Sequence, residues 1–138
     1  MILVILLETR EATELLDAAI AVALGYAPEA IRIREELDHS VDTLGNGVHC
    51  IVTRMPSTGD ITHMIDAYCD KDFPPAVQTD ITFAQALVQR LDARAYAEPE
   101  TAHFPDDFVR VLASGELQPV EIDQSDDGLR FTMRPREG

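Results

Sequence analysis

Six consecutive apolar residues, Ile2-Leu3-Val4-Ile5-Leu6-Leu7, constrain the fold more than any other feature of this sequence. A run this short and without alternation reads as a strand covered on both faces. It also invites reading as a secretory signal, but no basic residue precedes it and Glu8-Thr9-Arg10-Glu11 follows at once. The next apolar run, Leu15 to Leu24, is interrupted by Asp17 and is too short to span a bilayer. The expectation is a soluble, cytoplasmic protein that makes no membrane contact. Its 138 residues suit one domain, residues 1–138.

The spacing predicts a helix from about Arg10 to Leu24, with a stripe of Leu15, Leu16, Ala19, Val22 and Ala23 widened by Ile20. Gly25 is placed to end it with positive φ, and Pro28 opposes continuation. From Ala30 to Leu37 the period falls to two, which reads as a strand. Gly45-Asn46-Gly47 signals a turn, Val48 to Met55 a strand, Pro56 to Asp60 a loop and Ile61 to Tyr68 a further strand. The middle of the chain is thus expected to be an antiparallel meander. A second helix is expected to begin near Thr82, capped through Gln85, with Phe83, Ala84, Leu87, Val88 and Leu91 as its stripe. Strands Phe108 to Ala113, Leu117 to Ile122 and Leu129 to Arg134 complete the order. This predicts an α+β fold: a mainly antiparallel sheet with two helices packed on one face. Ferredoxin-like connectivity is one route to it.

Lys plus Arg total 11 against 25 Asp plus Glu, a formal net charge of -14. Nucleic-acid and anionic-membrane binders need a cationic footprint, so neither class of partner is expected. Each half of the chain nets -7, so the acids belong to the folded body rather than to a tail. Solubility alone explains such a surplus. The functional reading is a face that attracts a basic protein, because clustered carboxylates raise encounter rates roughly 10–1000-fold over a range of about 8 Å at physiological salt. Two groups next to loops suit that role. Glu35, Glu36, Asp38 and Asp42 precede the glycine turn; Asp66, Asp70 and Asp72 precede Pro74-Pro75, with Phe73 as an apolar anchor.

Catalytic patterns are missing. No G-x-S-x-G surrounds a serine, and Gly45-x-Gly47 lacks the third glycine and following helix of a dinucleotide loop. His49, Cys50, His63 and Cys69 are the best metal candidates, but His49 and Cys50 point to opposite faces of one strand and His63 lies about 20 Å from Cys69 along another. Cys50 and Cys69 read instead as reduced, buried side chains. The acid pairs Glu35-Glu36, Asp106-Asp107 and Asp126-Asp127 read as turn and strand features. No cofactor, metal or catalytic residue is expected. Phe73, Tyr96, Phe104 and Phe108 read as packing residues, with Phe73 and Phe104 also eligible as exposed anchors.

The helix Ile81-Thr82-Phe83-Ala84-Gln85-Ala86-Leu87 to Arg90-Leu91, followed by Phe108-Val109-Arg110-Val111-Leu112, a glycine turn and Pro119-Val120-Glu121-Ile122-Asp123, resembles the immunity proteins of bacterial contact-dependent growth inhibition and related polymorphic toxin systems. The resemblance implies a cytoplasmic, non-enzymatic protein that binds one cognate basic toxin domain, often a nuclease, and covers its active site or substrate surface. Carboxylates then stand in for nucleic-acid phosphates. A regulatory or small-molecule-binding α+β domain, with a sheet edge open to dimer formation, is the alternative.

Overall fold

The computed structural model describes residues 1–35, 44–102 and 104–135. In chain order these form β1 (Ile2–Thr9), α1 (Thr13–Leu24), a short 3-10 turn at Pro28–Ala30, β2 (Ile31–Glu35), β3 (Cys50–Pro56), β4 (Thr58–Gly59), β5 (His63–Cys69), α2 (Asp80–Val88), β6 (Ala93–Ala97), β7 (Asp107–Val111), β8 (Leu117–Gln124) and β9 (Arg130–Pro135). All nine strands join one sheet in the order β2-β3-β5-β1-β6-β7-β8-β9-β4. The class is α+β. Within it, β1-α1-β3-β5-α2-β6 with strand order β6-β1-β5-β3 is the βαββαβ arrangement of ferredoxin-like folds.

The sheet is mainly antiparallel, as expected, but two parallel pairings make it mixed and correct the expected central meander. β2 lies parallel to β3, and β4 lies parallel to β9. The Pro56–Asp60 segment, read as a plain loop, therefore contributes a two-residue strand. β6 was missed altogether. Its alternation of Ala93, Ala95 and Ala97 with Arg94 and Tyr96 uses alanines, which carry little strand signal, but these small residues are what the space against α2 admits.

The large core gathers Leu3, Ile5 and Leu7 of β1 with Leu16, Ala19, Ile20, Ala23 and Leu24 of α1 and Phe83, Ala84 and Leu87 of α2. Each Leu or Phe buried there is worth about 1.5–3 kcal/mol relative to exposure. The α1 stripe is rotated from the expected one: Leu15 and Val22 are exposed, and Leu24 joins Leu16 and Ile20 inside. Gly25 ends α1 at φ +80, and its N–H donates to the Ala21 and Val22 carbonyls. α2 begins two residues before Thr82. Thr79 is its cap, and the Thr79 and Thr82 side chains each accept from the other's backbone N–H.

The opposite face of β1 is handled differently. Leu6 is buried with Ile61, Tyr96, Ile122 and Phe131 in a second, smaller core. It forms because β7, β8 and β9 curl over the sheet until β9 meets β4 in the connection between β3 and β5. Thr58 N–H donates to the Leu129 carbonyl, Asp60 N–H to the Phe131 carbonyl, and Met133 N–H to Asp60 Oδ2 at 2.7 Å. Gly59 permits this approach: at φ +85, an added Cβ would lie 2.1 Å from the Phe131 carbonyl oxygen. The curl does not reach the start of β1. Ile2 is 64% and Val4 38% exposed, so the expectation of a strand covered along both faces holds only from Leu6 onward. Among the described residues, no helix is long and apolar enough to cross a membrane.

Candidate functional site

The second core leaves a gap where β6 parts from β1. β6 pairs with β1 only between Leu6–Tyr96 and Thr9–Ala93, and Pro99, which has no N–H, stands just beyond it. Past that point the Val4 N–H has no strand partner on this side. Asp80 Oδ1, from the first turn of α2, accepts it at 3.0 Å. A side chain thus stands where main chain would otherwise run, and beside it opens a groove of about 780 Å³.

The floor of the groove is apolar, formed by Leu6, Met64, Phe108, Ile122 and Phe131, while Asp80, Glu98, Asp106 and Asp123 bring four carboxylates to its lining. Asp123 is ion-paired with Arg134. Among the described residues, no basic side chain pairs with Asp80, Glu98 or Asp106. The described lining holds no histidine, cysteine, serine or lysine, so its chemistry-bearing groups are the carboxylates. Chemically, such a groove suits a ligand with an apolar body and a cationic end.

Along the same face, beyond Val4, a second hollow of about 570 Å³ is lined by Ile2, Arg34, Ile51, Thr53, Asp66 and Tyr68. Tyr68 is half-exposed here, as Ile2 is. The two hollows share this face of the sheet because Ile2, Val4 and Leu6 alternate with the residues that point into the large core.

A separate charged cluster lies on the large-core side. Arg54 is 6% exposed; its Nε stands 2.6 Å from Asp17 Oδ1, and its Nη1 stands 3.6 Å from Glu35 Oε1. Burial raises the pKa of Asp17, with the Arg54 guanidinium opposing that shift. Burial lowers the pKa of His63, and Arg54 adds to the lowering. His63 Nδ1 lies 2.9 Å from the Thr62 hydroxyl. This group is an ion pair between a buried Arg54 and a partly exposed Asp17.

The acids singled out in the sequence are not gathered onto one face. Glu35 turns toward Arg54 on the large-core side, and Asp66 lines the second hollow opposite. Asp70, Asp72 and Phe73 form a corner after β5. There Asp70 Oδ1 accepts the Asp72 N–H at 3.0 Å, and the Phe73 ring stacks on His49 at 3.8 Å. Phe73 is 53% and Phe104 61% exposed, which favours the anchor reading over the packing one for both. Tyr96 is buried, as expected of a packing residue. Glu36, Asp38 and Asp42 lie outside the described residues.

The groove acids went unread because nothing in their spacing joins them. Asp80 starts a helix, Glu98 and Asp106 flank the Pro99–Pro105 connection, and Asp123 lies at the end of β8. Only Asp106 was noticed, as half of an acid pair, and its neighbour Asp107 does serve the turn: Oδ2 accepts the Phe104 N–H at 3.1 Å. Among the metal candidates, Cys50 and Cys69 meet at 3.6 Å, but His63 lies at the far end of β5. No group of three metal-ligating residues assembles among the described residues. Comparison with protein-family models, with characterised proteins and with solved structures returned no match.

Proposed function

We propose that this chain is a binding protein that neutralises a cognate basic toxin domain, as the resemblance to immunity proteins implies, by seating a cationic and partly apolar segment of that partner in the groove. The observation that carries this reading is the pairing of an apolar floor with four carboxylates, of which Asp80, Glu98 and Asp106 have no basic partner among the described residues. Partner Lys or Arg would meet the rim as charge-assisted pairs while its apolar atoms cover the partly buried Met64 and Phe108. In this reading the protein acts in the cytoplasm without cofactor or catalysis, and the two helices brace the sheet from behind.

The test is co-purification with the toxin encoded beside it, at about 50 mM and about 500 mM salt. A complex that weakens at high salt, and at least about tenfold in the Glu98→Gln/Asp106→Asn double variant, supports the reading. A complex indifferent to both changes, or none at low salt, overturns it. The volume of the groove, inside the range of about 300–1,000 Å³ common for small ligands, favours a second reading: a small amphipathic cation bound in the same place. Saturable stabilisation of the protein by such cations, with no protein complex, selects that reading instead.

A further inference from the structure

Cys50 opens β3 and Cys69 closes β5, and the two are register partners. They form the last rung of that ladder. The Cys69 N–H donates to the Met1 carbonyl at 2.8 Å, and the Met1 amino group donates to the Cys69 carbonyl at 3.2 Å. The main-chain groups of Cys69 therefore face β1, which leaves Cys50 and Cys69 at a position of the β3–β5 ladder without mutual hydrogen bonds. At such positions facing Cα atoms are about 4.5 Å apart and side chains approach most closely. That spacing falls within the roughly 4.4–6.8 Å that a disulfide spans without backbone movement.

The sulfurs are 3.6 Å apart and unbonded. The two sulfurs share a hydrogen bond in which either can be the donor; that contact, helped by Tyr26, lowers the pKa of the Cys69 thiol, while the same contact and burial raise that of Cys50. One sulfur is thus the readier nucleophile and the other holds its proton alongside. Both are buried, but end rungs fray first, and this one adjoins the exposed residues Lys71 to Pro74.

We propose that Cys50 and Cys69 are an oxidation site, converted by a hydroperoxide into an intramolecular disulfide that staples β3 to β5. The Cys69 thiolate attacks the distal peroxide oxygen, the O–O bond breaks, and the leaving alkoxide takes a proton to become an alcohol. The Cys50 sulfur then attacks the resulting sulfenic acid, the S–O bond breaks, and hydroxide departs with the Cys50 proton as water. Two thiols lose two electrons and two protons, and the hydroperoxide is reduced to alcohol and water. The staple would hold the Asp70–Phe73 corner against β3. This inference is independent of what occupies the groove.

The experiment treats the native full chain with hydrogen peroxide, then alkylates it in denaturant and measures intact mass. The expected product is about 2 Da lighter, unalkylated and monomeric, and dithiothreitol reverses it. A Cys50–Cys69 cross-linked peptide should appear on digestion, and the urea midpoint should rise on oxidation. Cys50→Ala should instead stop at a sulfenic acid that dimedone traps; if that variant does not fold, the wild-type peptide map decides alone. Two alkylatable thiols after treatment, a mass gain from sulfinic acid, or cross-linking only between chains overturns the proposal.

Discussion

The face of β1 that carries Leu3, Ile5 and Leu7 and the face that carries Ile2, Val4 and Leu6 are built from the same residue types but end in different surroundings. The first lies under one large core shared with both helices. The second is covered only at Leu6, by strands that arrive from the far end of the sheet. A helix supplies a broad apolar stripe directly onto a sheet, whereas a curling sheet covers only what its twist can reach. The uncovered remainder is where the groove and the second hollow lie. The open space on this face follows from incomplete covering of an apolar strand.

If that contrast is sound, truncation should cost most under the helices. Leu87→Ala is expected to lose about 3–4 kcal/mol, and Ile122→Ala in the smaller core about 2–3 kcal/mol, both read from urea midpoints. Equal or reversed costs would break the ranking of the two cores. Gly59→Ala is expected to cost about 2 kcal/mol, because a methyl cannot fit against the Phe131 carbonyl at that φ. Hydrogen exchange should localise its effect to β4, β8 and β9, leaving the amides of α1 protected; uniform loss of protection would show that the curl and the large core unfold together. Arg54→Met, which leaves Asp17 without its partner in a partly solvated site, is expected to cost about 1–2 kcal/mol.

The smallest effect concerns pH. Because the folded-state pKa of His63 lies below its ordinary 6.5, the unfolded chain takes up that proton first as pH falls. His63 therefore adds stability above about pH 6.5 that is lost as pH drops toward its lowered value. His63→Gln should flatten that part of the pH–stability profile relative to wild type, and an unchanged slope would remove His63 from the account.

The sequence was legible where local pattern and tertiary demand agree. β1, the Gly25 stop and the C-terminal strands follow from apolar runs and glycines that act within a few residues. The mixed sheet was not legible, because the parallel pairing of β2 with β3 and of β4 with β9 depends on where distant segments arrive rather than on their composition. β6 escaped because alanine serves helix and strand alike. The groove was illegible for a related reason: its four carboxylates come from a helix start, a strand exit, a loop and the end of another strand. Charge summed along the chain is silent about place.

The central position of β1 also sets an order of events during synthesis. Its neighbours begin only at His63 and Ala93, so a newly made chain carries a sticky hydrocarbon ribbon with nothing to zip against. At about 5–20 residues per second, that wait lasts on the order of several seconds. Closing such long loops favours slow folding, so the ribbon stays uncovered on its strand edges until both neighbours have been made.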